Sequence, residues 1–226
     1  MSGSSPTIES RSVKIPAGSV TLLGDLTMPP RPHGIVIFAH GSGSSRLSPR
    51  NRMVADHLTR GGFGTLLFDL LTEREEAGDK TGRLRFAIDF LAGRLIEATD
   101  WVVSLPVNLA LPLGYFGAST GAAAALVAAV SRSALIGAIV SRGGRPDLAG
   151  GHLREVRTPT LFIVGGADTE VLRLTGPALA RLGSPIKEQT IIPEATHLFE
   201  EPGALIQVSA LAMDWFGRYL RPGLRM

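Results

Sequence analysis

The stretch Leu113-Gly114-Tyr115-Phe116-Gly117-Ala118-Ser119-Thr120-Gly121, running on into the Ala-rich segment Ala122 to Val130, decides how this chain is read. Leu113 to Gly117 reads as a strand and Ser119 to about Ser131 as a helix, so a G-x-S-x-G falls on the turn between them. The five-residue pattern alone arises by chance in roughly one chain in four of this Gly and Ser content, and its weight comes from its place. A serine on a tight strand-to-helix turn is held in a strained conformation with its hydroxyl clear of the sheet. Strand and helix then cross so closely that the flanking positions need almost no side chain, a demand that Gly117, Ala118 and Gly121 meet. The plain alternative is a tight Ala/Gly turn with an incidental serine.

Working outward, short β-type runs alternate with helical patterns. Residues 11–15 and 20–28 read as an opening strand pair with a turn at Pro16-Ala17-Gly18. Residues 34–39 and 160–164 are continuously apolar, as strands covered on both faces are, and 65–69 reads as another strand. A helix is expected from Pro49 to about Arg60, and a long one from Arg83 to Ser104, with Phe86, Phe90, Leu91, Ile96 and Val103 at roughly helical spacing. Glu73 to Gly82 reads as a charged loop between them. Beyond the serine come a strand at 135–140, a loop with a helical turn at 147–156, a helix at 170–182, an edge strand at 186–192 and a helix at 203–220. The expected fold class is α/β: one domain over residues 1–226, with about 7–8 mostly parallel strands and helices on both faces. Residues 1–10 are expected to be a flexible lead-in.

A serine hydroxyl needs a base. Of the five histidines, His33 sits in a Pro-rich turn, His57 falls mid-helix and His152 lies in a polar loop. His40 ends the third strand and reads as a structural hydrogen-bonder. His197, in Ile192-Pro-Glu-Ala-Thr-His-Leu-Phe199, follows the last strand at the edge that carries Ser119, which makes it the candidate base. Asp168, delivered by Gly165-Gly166-Ala167 after an apolar strand, is the candidate carboxylate that orients it, with Glu170 and Glu194 as rivals. Asp69 reads as structural. The chain order Ser119, Asp168, His197 is that of α/β-hydrolases. The oxyanion donors are expected to be the backbone amides of Thr120 and of Ser42, the latter in the glycine-bearing loop His40-Gly41-Ser42-Gly43-Ser44-Ser45.

Composition closes off other classes. The 226 residues are 44% apolar and 19% charged and contain no Cys, which excludes disulfide frameworks, Cys-ligated metals and a cysteine nucleophile. The 20 Arg and three Lys are scattered against 20 acidic residues, so no basic stripe for nucleic acid is present. The phosphate-loop and dinucleotide glycine spacings are missing as well. No export signal and no membrane-length apolar run is read, and the expectation is a cytoplasmic protein without membrane or nucleic-acid partners. The edge strand at 186–192 could pair with a twin across a two-fold, giving a homodimer.

Phe38-Ala-His-Gly-Ser-Gly43, Leu67-Phe-Asp-Leu70, Gly117-Ala-Ser-Thr-Gly121, Ile163-Val-Gly-Gly-Ala-Asp168 and His197 together resemble the α/β-hydrolases, and within them the small dienelactone-hydrolase-related branch. The resemblance spans residues 35–198 and implies a Ser-Asp-His triad and no cofactor. Dienelactone hydrolases proper use a cysteine nucleophile, so dienelactone specificity is not carried over. The connection Ser141 to Pro159 is too short for the helical cap that many relatives insert, and an open, shallow site is expected. Arg46 and Arg142 are placed near its mouth as ligands for an anionic substrate, with Leu70, Leu71, Leu198 and Phe199 as an apolar wall. The expected activity is cleavage of short-chain carboxylic esters through an acyl-enzyme. Thioesterase, acyltransferase and perhydrolase chemistry would use the same residues, and a non-catalytic binding module is the alternative of another class.

Overall fold

The computed structural model describes residues 7–106 and 111–220. The continuous apolar runs form the middle of one eight-stranded sheet. Every residue is buried in β3 (Ile35–Ala39), β4 (Gly64–Phe68), β5 (Leu113–Ala118) and β7 (Thr160–Gly165), and all but Gly137 in β6 (Ile136–Arg142). The outer strands β1 (Glu9–Ala17), β2 (Val20–Met28) and β8 (Lys187–Ile192) mix buried with exposed positions, as strands with a wetted face do. The order across the sheet is β1-β2-β4-β3-β5-β6-β7-β8, with β1–β2 and β2–β4 antiparallel and every other pair parallel. The expected α/β class and strand number are therefore present.

Helices cover both faces. One apolar layer takes Leu91 and Leu95 from α3 (Ile88–Ser104), Ala123 to Ala129 from α4 (Thr120–Ser131) and Ala178 from α5 (Thr169–Arg181). The other takes Val54 and Leu58 from α1 (Pro49–Arg60) and Val208, Ala212, Trp215 and Phe216 from α6 (Ala204–Tyr219). From Thr120 to Ala129 every residue of α4 is buried, so a small-residue sequence lets this helix lie against the strands beneath it.

Four local readings change. The strand β1 begins at Glu9, so the lead-in is shorter than expected; residues 1–6 lie outside the described set. Its turn is Gly18-Ser19, with Gly18 at φ 57°, because Pro16 and Ala17 still pair with β2. The expected long helix from Arg83 divides into a 3-10 turn, Leu84–Phe86, and α3 proper. Its buried stripe is Leu91, Leu95, Ala98 and Val102, while Phe86, Phe90 and Val103 face solvent. The charged segment before it carries a short helix, α2 (Glu73–Gly78), because Thr72 and Glu75 cap each other reciprocally: Glu75 N–H donates to Thr72 Oγ1 at 3.2 Å, and Thr72 N–H to Glu75 Oε2 at 2.8 Å. Between β6 and β7 only a pair of 3-10 turns, Pro146–Arg154, intervenes. Among the described residues no helix is long and apolar enough to cross a membrane.

Candidate active site

Ser119 sits at φ 50°, ψ −122°, a conformation that a residue with a side chain adopts only when its surroundings compel it. The compulsion comes from both flanks. A Cβ on Gly117 would stand 2.4 Å from Ala122 Cα, and one on Gly121 would stand 2.1 Å from the Ala39 carbonyl oxygen. Strand β5, helix α4 and the end of β3 thus meet without side chains between them. The Ser119 amide donates to the Arg142 carbonyl at 3.3 Å, and its own carbonyl accepts from Arg145 N–H at 3.0 Å, which fixes the turn from the β6 side.

Asp168 and His197 are brought together by a second set of close backbone contacts. A Cβ on Gly165 would lie 2.2 Å from the Ala195 carbonyl oxygen, so only glycine lets the segment after β8 cross the end of β7. Gly166 N–H donates to Ile192 O at 2.8 Å and Ala167 N–H to Ala195 O at 2.9 Å, clamping the two turns. Asp168 then caps α5, its Oδ1 accepting from Val171 N–H at 3.3 Å, while its Oδ2 accepts from His197 Nδ1 at 2.6 Å. The carboxylate side chain is 10% exposed and the imidazole 40%. A histidine that donates from Nδ1 presents Nε2 as an acceptor. The Ser119 hydroxyl makes no hydrogen bond to that ring among the described residues; such bonds commonly close only when substrate is bound.

The opposite side is built from the loop after β3. A Cβ on Gly41 would come within 2.9 Å of Ser119 Cβ, so this loop runs directly over the serine. Its Ser42 amide, expected to face an oxyanion, instead donates to Thr120 Oγ1 at 2.9 Å, because the buried threonine hydroxyl has the nearest lone pair. The Thr120 amide, in the first turn of α4, has no acceptor among the described residues. His40 is structural: Nδ1 donates to Gly41 O at 2.9 Å, and Nε2 accepts Leu70 N–H at 3.0 Å. Burial lowers its pKa and keeps the ring neutral.

The other expected positions separate. Leu70 and Leu71 line a cleft with His40, Ser42, Thr120 and Leu91, and Glu76 and Arg85 stand at its rim. Arg46 is withdrawn from the expected anion-binding role, because its Nη1 pairs closely with Asp69 Oδ2, its amide reaches Asp69 Oδ1 at 2.8 Å and its Nε lies 3.7 Å from Asp25. Phe199 is 1% exposed in the layer beneath α6, so it belongs to the core rather than to a pocket wall; Leu198 is exposed beside it. Arg142 is buried under Phe199, its guanidinium 6.0 Å from the ring centre.

A dienelactone hydrolase of Anabaena variabilis has a solved structure that is 53% identical to this chain, superposes with a TM-score of 0.91, and matches over 95% of this chain and 99% of its own. The chain belongs to the dienelactone hydrolase family. More remotely, Est1E of Butyrivibrio proteoclasticus shares the same α/β-hydrolase fold at 15% identity, with a TM-score of 0.76 over 92% of this chain and 98% of its own. Two curated Mycobacterium tuberculosis proteins, of strains CDC 1551 and H37Rv, are 56% identical over 212 residues, 93% of this chain. Each is named "Putative phosphoribosyl transferase", and the chain spans 47% of their length. No family model matches the chain.

Sequence reading did not place Glu76, Arg85 and Leu91 along the cleft. Glu76 was hidden because the capping pair Thr72–Glu75 was not recognised, and Leu91 was read only as a core position of the long helix.

Proposed function

We propose that the chain is a serine hydrolase acting on carboxylic esters through an acyl-enzyme. Ser119 attacks the ester carbonyl, His197 takes the hydroxyl proton and returns it to the leaving alcohol, and Asp168 holds the imidazole in the tautomer with Nε2 free. A second half-reaction repeats the proton transfers with water as the attacking group. The observation that carries the reading is the 2.6 Å contact of His197 Nδ1 with Asp168 Oδ2, at the sheet edge where Ser119 stands on a left-handed turn. The Thr120 amide is the donor in place for the oxyanion. The Ser42 amide joins it when a rotation of the Thr120 side chain releases its hydroxyl, and the substrate oxygen then takes the vacated position. The narrow leucine-lined cleft favours a short acyl or alcohol group. The esterase and hydrolase neighbours support this chemistry, whereas the transferase name belongs to proteins about twice as long.

Ser119→Ala tests it. With p-nitrophenyl acetate as substrate, the variant should lose at least about a hundredfold in kcat while its unfolding transition stays in place. Residual turnover above about 1% of wild type would remove Ser119 from the role of nucleophile.

A further inference from the structure

The cleft lined by Leu70 and Leu71 is nearly closed. About 10 Å³ of it is open, room for about one water molecule. Its inner end is at the serine turn, where Gly41 and Thr120 line it. The charged members of its lining are Glu76, from α2, and Arg85, from the 3-10 turn before α3. Arg85 Nε lies 3.9 Å from Glu76 Oε1, too far for a hydrogen bond. The same nitrogen is shielded from water and has no hydrogen-bond partner among the described residues.

The adjacent residue shows what a firm attachment is here: Glu75 accepts from Arg94 Nη2 at 2.7 Å and from Thr72 N–H at 2.8 Å. The backbone near the rim is also tied down, since Asp79 Oδ2 accepts from the amides of Leu84 and Arg85 at 3.0 and 3.3 Å. The loosest parts of the rim are therefore two side chains. Both are about one-third exposed, and a pair of that kind shifts an equilibrium by no more than about fivefold. Each methylene that an acyl chain buries gains about fourfold in binding. Two or three methylenes are thus enough to part the pair. Phe86 follows Arg85 and Phe90 precedes Leu91, and both are exposed, so a chain that passes the rim meets apolar surface outside it.

We propose that Glu76 and Arg85 gate the acyl end of the cleft and set the length of acyl group that it takes. With the pair closed the cleft suits an acetyl-sized group; with the pair parted it admits medium-chain acyl esters such as hexanoates and octanoates. The proposal rests on the serine-hydrolase reading of the same site and adds to it two side chains that determine acyl length.

The test compares p-nitrophenyl acetate, butyrate and octanoate. Glu76→Gln and Arg85→Gln should each raise kcat/KM for octanoate relative to acetate by about threefold to fivefold, chiefly through KM, with butyrate between. The double variant should go no further than either single one, because both remove the same contact. Exchanging the charges, Glu76→Arg together with Arg85→Glu, should bring the ratio back to within about twofold of wild type, a rescue that a merely structural role would not give. A ratio that stays put in both single variants, or that the exchanged pair fails to restore, overturns the gate. Methyl heptyl ketone, an uncharged octanoyl analogue that is not hydrolysed, gives a readout without turnover. It should raise the melting temperature of Glu76→Gln more than that of wild type, and equal rises count against the gate. If wild type cleaves none of the esters while the ketone shift still depends on Glu76, the hydrolase reading falls and the gate stands. If the esters are cleaved and neither ratio nor shift responds, the gate falls and the hydrolase reading stands. Should one glutamine variant fail to fold, the other carries the same measurements.

Discussion

The two sides of the sheet edge around Ser119 are held in different ways, each acting as a wall. On the β7–β8 side backbone meets backbone: Gly165 lies under Ala195, and Ile192 and Ala195 accept from Gly166 and Ala167, so Asp168 and His197 have little room to be elsewhere. On the β3–β4 side side chains hold the structure: His40 bridges Gly41 and Leu70, Arg46 ties to Asp69, and Thr120 Oγ1 holds the Ser42 amide. A wall made of backbone contacts fixes the placement of Asp168 and His197. A wall made of side-chain contacts can release a donor by turning one rotamer.

Breaking the first wall should have the larger consequences. Asp168→Asn keeps a side chain able to cap α5 but reverses the polarity of its contact with His197 Nδ1, so kcat should fall by about 10³- to 10⁴-fold with the melting temperature little changed. A fall of less than about tenfold would mean that this carboxylate does not orient the base. Gly165→Ala drives a methyl into the Ala195 carbonyl and should destabilise the fold by about 2–4 kcal/mol in urea titration. The matching change on the other wall, Gly43→Ala, meets no atom within 4 Å and costs only its left-handed conformation at φ 68°, about 1 kcal/mol. Equal costs for the two alanines would erase the distinction between the walls. The smallest effect is expected from Thr120→Val, which removes the acceptor of the Ser42 amide. Stability should drop by about 1 kcal/mol, and kcat/KM should change by no more than about threefold if the hydroxyl only occupies the donor at rest. A loss beyond about a hundredfold would give the hydroxyl a direct part in holding the oxyanion.

Most of the fold and the Asp168–His197 contact were legible because they rest on patterns that sequence states directly. Doubly buried strands are apolar throughout, and tight crossings demand glycine at 117, 121 and 165. What escaped was settled by contacts between residues far apart. Arg46 and Arg142 look alike in sequence, yet Asp69 and Asp25 neutralise the first while no carboxylate among the described residues pairs with the second. Phe199 follows the histidine closely but turns at φ 58° into the core. The Ser42 amide was expected to be free because nothing in the loop's own sequence shows that a threonine hydroxyl, 78 residues on, lies within 2.9 Å of it. The faces of α3 were misassigned because the aromatic residues Phe86 and Phe90 outweighed the smaller ones that form its stripe.

A fluorophosphonate ester offered to the native chain reports most directly on whether the imidazole at 197 activates the hydroxyl at 119. Intact-mass analysis should find one adduct per chain, on the peptide holding Ser119, and at least a hundredfold slower labelling in His197→Ala. Labelling that proceeds at the same rate without His197, or that lands on another residue, would contradict the account.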